Sequence, residues 1–155
     1  MMSLKLLFLI FMIFCPLLGI SQDRQEIAYK NYFEFDQEFG LHKERSDFIL
    51  TVDRTQDSIK WKADKNFGFS SGVILTETKN YLTAQMEDGT NLFYLKADHQ
   101  IYYLKKWETT YTAYGFGKGS LSLQESVTQM IRLIKSGKTE AEVIDFLSKQ
   151  AEYDF

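Results

Sequence analysis

Cysteine and proline are almost missing from this chain. Each occurs once in 155 residues, as Cys15 and Pro16, and both fall within the first 21. Downstream of residue 21 there is no disulfide, no thiol nucleophile and no cysteine metal site. Also missing are a run of basic residues, a second long apolar stretch, an internal repeat and a low-complexity tract. The first argues against nucleic acid as a partner. The second leaves nothing after the N-terminus long enough to span a membrane as a helix.

The one long apolar run is "LLFLIFMIFCPLLGI", Leu6 to Ile20, preceded by "MMSLK" with a single charge at Lys5. Its length suits the core of a secretory signal, and Pro16 is unfavourable in a straight spanning helix. Gly19 and Ser21 are small residues at the −3 and −1 positions of a cut before Gln22. The expectation is a cleaved signal peptide, 1–21, and a single exported domain, 22–155, periplasmic or secreted. Cys15 follows the bulky Phe14, which disfavours a lipidated terminus. Loss of Lys5 leaves 17 basic against 21 acidic residues. A domain of this length without disulfides is held by its core.

From Ile27 to Tyr114 apolar residues alternate, and turn residues recur every eight to twelve positions, the pattern of an antiparallel sandwich or barrel. Strands are expected near 27–35, 48–53, 58–63, 71–78, 81–87, 90–96, 100–106 and 108–114. A two-residue turn at Asp88-Gly89 would pair Leu82 with Leu95 and Ala84 with Phe93. Turns at Asp98-His99 and Lys79-Asn80 extend that register. Together they place Val73, Leu75, Leu82, Ala84, Met86, Phe93, Leu95, Tyr102 and Leu104 on one buried face. The opposite face carries Ile74, Tyr81, Leu92, Tyr94, Ile101, Tyr103 and Trp107, too apolar to be left to water.

The cover is expected from the C-terminus. "SLQE" at 122–125 and "TEAE" at 139–142 read as capping boxes. Each precedes a one-sided apolar stripe, and Gly137 suits the left-handed end of the first helix. Helices are expected at about 123–135 and 140–150, a hairpin that must pack on the sheet. The fold class is therefore α+β: an antiparallel β-meander of about eight strands, as a curved sheet or half-open barrel, with a C-terminal two-helix hairpin against it.

Candidate sites follow. "GFGKGS", 115–120, lacks the spacing of a phosphate loop and reads as a connection, with Lys118 and Ser120 as a weak anion site at a helix start. His42 and His99 could serve a hydrolase beside Glu34, Asp36 or Asp98, yet no serine stands in a nucleophile-elbow context. Glu34, Asp36 and Glu38 alternate to one side, but no calcium-loop order is present, and neither a metal nor a cofactor is expected. Without Phe8, Phe11 and Phe14, 21 aromatic residues remain, nine of them tyrosine. Tyr81, Tyr94, Tyr103, Trp107 and Tyr111 are the candidate contacts for an apolar or stacking ligand. In strand number and size the chain is similar to lipocalin-like barrels, in architecture only, since their G-x-W is absent: Trp61 sits in "SIKWK". The leading expectation is a non-enzymatic binding domain for such a ligand; the alternatives are an envelope protein-interaction module and the hydrolase.

Overall fold

The computed structural model of the protein describes residues 23–117 and 121–153. The expected signal segment 1–21 and the weak anion pair Lys118 and Ser120 lie outside the described residues. Eight strands run in chain order: β1 (Arg24–Asp36), β2 (Gly40–Asp53), β3 (Ser58–Ala63), β4 (Ser71–Glu77), β5 (Tyr81–Met86), β6 (Asn91–Leu95), β7 (Gln100–Trp107) and β8 (Thr110–Phe116). Each pairs antiparallel with the next, and β8 returns to β1, closing a barrel. Two helices follow, α1 (Leu121–Lys135) and α2 (Glu140–Tyr153). No helix among the described residues is long and apolar enough to cross a membrane.

The stretch 40–47, which falls between the strands expected at 27–35 and 48–53, is the first half of β2. Gly40, at φ +81°, makes the tight turn from Asp36. Asp36 stabilises that turn by accepting from the backbone N–H groups of Glu38 and Phe39 at 2.7 and 3.1 Å.

The barrel has two apolar shells. The inner one contains Leu50, Val52, Ile59, Trp61, Leu82, Ala84, Met86, Leu92, Tyr94, Ile101, Tyr103 and Phe116, all essentially buried. The outer one lies beneath the helices and joins Phe33, Phe93, Tyr102, Leu104 and Ala113 to Leu123, Val127, Met130, Ile131, Val143 and Leu147. The single buried face expected from the sequence is thus divided. Leu82, Ala84 and Met86 point inward, whereas Phe93, Leu95, Tyr102 and Leu104 point outward under the helices. Val73 and Leu75 are exposed, at 58 and 59%.

The cause is a one-residue slip at the β5–β6 hairpin. Leu82 pairs with Tyr94 and Ala84 with Leu92. The Met86 N–H donates to the Thr90 carbonyl at 2.8 Å, so three residues, Glu87 to Gly89, form the loop. Gly89, at φ +86°, takes the left-handed position that such a loop requires. At the β4–β5 turn the expected register holds for Glu77–Leu82 and Thr76–Thr83. An irregularity at Leu75 then turns Ile74 inward opposite Ala84.

α1 crosses β8 and reaches β1, where Ala113 and Gly115 give it room. It begins at Leu121, two residues before the expected start, which places Ser122 inside the first turn. Its end is as expected: Gly137 lies at φ +89°, the Gly137 N–H donates to Ile134 at 3.0 Å, and the Lys138 N–H donates to Leu133 at 3.1 Å. The second capping box also forms. The Thr139 N–H donates to Glu142 Oε2 at 2.8 Å, and the Glu142 N–H donates to Thr139 Oγ1 at 3.3 Å. The Thr139 N–H, with Lys138 Nζ and the Thr139 hydroxyl, holds the pKa of the Glu142 carboxyl down at about 2. Replacing the hydroxyl, Thr139→Ala, is expected to cost about 1 kcal/mol by urea unfolding; an unchanged midpoint would show that the cap contributes nothing to the folded domain.

Candidate functional site: an aromatic barrel mouth

Inward-facing residues of neighbouring strands stack in layers. At one end of the barrel, cross-strand pairing sets Glu34, Tyr114, Tyr103, Leu92, Ala84 and Ile74 in one layer around β1, β8, β7, β6, β5 and β4. The layer beneath contains Tyr32, Phe116, Ile101, Tyr94 and Leu82. The layer above holds Asp36, Thr112 and Lys105. An irregularity in the β1–β2 pairing between Tyr29 and Asn31 changes the alternation, so that both Tyr29 and Tyr32 turn inward.

The layers end at a cavity of about 410 Å³ lined by Tyr32, Tyr103, Tyr114, Trp107, Phe67, Lys65, Asn66, Gly68 and Lys105. Its size falls within the usual range for small-molecule sites, about 300–1,000 Å³. Tyr103 and Tyr114 stack with ring centroids 4.7 Å apart. Phe67, from the β3–β4 loop, meets Tyr32 and Phe116 edge-on at 5.6 and 5.7 Å. Gly68 sits at φ +84°, a left-handed conformation that glycine adopts without steric cost, and it brings the loop backbone close to Lys105 Nζ. At the rim, Trp107 Nε1 donates to Thr112 Oγ1 at 3.1 Å, and Thr112 Oγ1 donates to Asp36 Oδ2 at 3.2 Å.

Three buried polar side-chain atoms have no hydrogen-bond partner among the described residues: Ser58 Oγ, Trp61 Nε1 and Tyr103 Oη. Of these residues Tyr103 lines the cavity, and its side chain is buried. Leaving a buried hydroxyl unpaired costs about 1–3 kcal/mol. Burial pushes its pKa well above 10, and the neighbouring Tyr114, Tyr32 and Glu34 add to the shift. Burial likewise raises the Glu34 carboxyl, against the opposing effect of His42, 3.8 Å away. The lysines at this mouth are paired. Lys65 lies 3.4 Å from Glu44, and Lys105 bonds Asp88. Burial alone would raise the Asp88 carboxyl, but Lys105 and the Thr90 N–H outweigh it and hold it low.

The five candidate ligand contacts do not form one row. Tyr103 and Trp107 share the cavity. Tyr94 is buried in the layer below, towards the opposite end, where its Oη meets His99 Nδ1 at 2.7 Å. Tyr81 lies on the outer face, stacked on Phe93 at 5.2 Å. Tyr111 packs partly buried in the outer shell, with Lys106 Nζ 6.0 Å from its ring. The dispersal follows from the register slip, which sends Tyr94 inward while Tyr81 stays outside. Tyr32, Tyr114, Phe67, Lys65 and Lys105 escaped sequence reasoning; the "DKNFGFSS" break at 64–71 was the visible signal for the loop that supplies two of them.

Of the histidines, His42 belongs to this mouth through Glu34, while His99 occupies an exposed turn at φ +52°. The hydroxyls nearest the His42–Glu34 pair in the layering are the phenols of Tyr32 and Tyr114, both raised by burial and so poor nucleophiles at neutral pH. Among the described residues no group of three or more His, Cys, Asp or Glu side chains could hold a metal ion. Compared with protein-family models, curated proteins and solved structures, the chain matches none.

Proposed function

We propose that the protein is an exported, non-enzymatic binding domain that holds a small apolar or aromatic-stacking ligand at this mouth. The observation that carries the reading is the aromatic-walled cavity itself, with the Tyr103 hydroxyl buried in its wall and unpaired among the described residues. A group buried at a cost in the free protein suits a site that a ligand completes. Trp107, 51% exposed at the rim, is placed to meet the ligand from the solvent side.

Native mass spectrometry of the protein purified from its own export route is the direct test. A small-molecule mass released on denaturation supports the reading; a clean apo mass counts against it. Mutation gives an independent check. Tyr103→Phe removes the unpaired hydroxyl and keeps the ring, so the free protein is expected to gain about 1 kcal/mol while ligand affinity falls. A loss of stability would mean that the hydroxyl is satisfied in the free protein and the argument fails.

A second reading, an envelope protein-interaction module, is favoured by the exposure of Val73 and Leu75 on β4, which neither helix covers. It predicts a co-purifying protein in the same spectrum.

A further inference from the structure

Given the binding reading above, a side chain of the protein itself stands where a ligand would. The Phe67 ring, from the β3–β4 loop, lies edge-on to four others: Tyr32 at 5.6 Å, Trp61 and Phe116 at 5.7 Å, and Tyr114 at 6.4 Å. Edge-to-face contact is one of the two arrangements that aromatic rings prefer. The position best suited to a ligand's ring is therefore taken by Phe67. The same residue divides two hollows. Next to the mouth cavity lies a second of about 380 Å³, bounded by Trp61, Phe69 and Ser70, and Lys65, Asn66 and Phe67 line both. Trp61, which Phe67 meets, is one of the residues whose buried polar atom has no partner among the described residues.

The loop is fixed at its ends and loose in its middle. At one end the Asp64 N–H donates to the Asp47 carbonyl at 3.1 Å, and Ser46 Oγ bonds the Asp64 carboxylate. At the other, the Trp61 N–H donates to the Ser70 carbonyl at 2.7 Å, and the Ser70 N–H and hydroxyl donate to Glu87 Oε1 at 2.7 and 2.8 Å. Phe69 is buried against Trp61 and Tyr103. Between these anchors, among the described residues, 65–68 make no backbone-to-backbone hydrogen bond. Lys65 pairs with Glu44 at 3.4 Å, both side chains exposed, and such a pair contributes little. The Gly68 N–H donates to Asn66 Oδ1 at 2.8 Å, a bond internal to the loop that can move with it. A segment held so weakly opens at low cost, and Gly68 can change its backbone conformation without a steric penalty.

We propose that Phe67 is a built-in plug: residues 65–68 swing out when an aromatic ligand enters, and the ligand's ring takes the place of the Phe67 ring among Tyr32, Trp61, Tyr114 and Phe116. With the closed loop favoured about tenfold, affinity is lowered by that factor, and the open population rises by the same factor on saturation. Indole, a neutral aromatic probe, tests both consequences. By isothermal titration calorimetry, Phe67→Ala, verified as folded by circular dichroism, is expected to bind indole about tenfold more tightly than the intact protein. In the intact protein, saturating indole is expected to speed tryptic cleavage after Lys65 about tenfold, because cleavage follows the open population. If Phe67→Ala fails to tighten binding, or if indole slows cleavage after Lys65 or leaves it unchanged, Phe67 is part of the wall. The proposal is then overturned while the binding site stands. If indole does not bind the intact protein, the proposal falls together with the reading it rests on.

Discussion

Phe116→Ala is expected to destabilise the domain by about 3–5 kcal/mol, a loss of roughly 10–20 °C in melting temperature for a chain of this size. Phe116 is fully buried in the layer beneath the cavity. Its ring meets Phe48 at 4.5 Å, Trp61 at 5.0 Å, Tyr32 at 5.1 Å and Tyr103 at 5.7 Å. Truncation removes the ring that supports the floor of the mouth from below, and the closed sheet can collapse only partly into the space. The effect should appear equally in thermal and urea unfolding. A loss below about 1.5 kcal/mol would mean that this part of the barrel is loosely packed. In that event the burial of Tyr103 above it would also be in question.

The second large effect is expected on the outer shell. Gly115 faces α1 from β8, and a Cβ at that position would overlap Val127 Cγ2 and lie 3.1 Å from Leu123 Cδ1. Both neighbours are fully buried side chains of α1, held by α2 and the outer face of the barrel. Gly115→Val therefore forces the helix to lift or the strand to shift, at an expected cost of about 2–3 kcal/mol. A strand conformation itself favours valine over glycine, so a destabilisation reports the helix contact rather than the backbone. A neutral or stabilising result would place α1 farther from β8 than described. Gly89→Val is the contrasting case. A Cβ there would have no atom within 4 Å, but the residue sits at φ +86°, so that variant would be destabilised by backbone strain instead.

The order and type of the elements were legible in the residues. Alternation from Ile27 onward, turn residues between runs and the "TEAE" cap identified the meander and the hairpin, because each signal depends on local chemistry. The orientation of the strands was not legible, for a physical reason. Alternation separates buried from solvated faces, but β6 to β8 are covered on both sides, by the barrel interior and by the helices. Leu92 and Phe93 are adjacent and buried in different shells. With two apolar faces, the register rested on the Asp88-Gly89 turn, where a three-residue loop is as compatible with Gly89 as a two-residue one. The slip that resulted exchanged the faces of β5 relative to β6 and dispersed the five candidate aromatics. The mouth was hidden for a related reason. Glu34, Tyr114 and Tyr103 are neighbours only because β8 closes on β1, and that pairing joins the two ends of the meander.

That closure also bears on how the domain comes to be folded. Seven of its eight strand pairings join consecutive segments through short connections. They form at little cost in loop entropy, and in the order in which the chain becomes available. The β1–β8 pairing alone, Tyr32–Asp36 against Thr112–Phe116, joins remote segments. The entropic barrier of barrel formation is concentrated there, after the hairpins have formed. α1 begins five residues beyond β8 and packs on both strands of that seam. The helix thus supplies its apolar stripe where the late, long-range contact needs reinforcement, and the layer that carries Glu34, Tyr114 and Tyr103 is assembled in the same event.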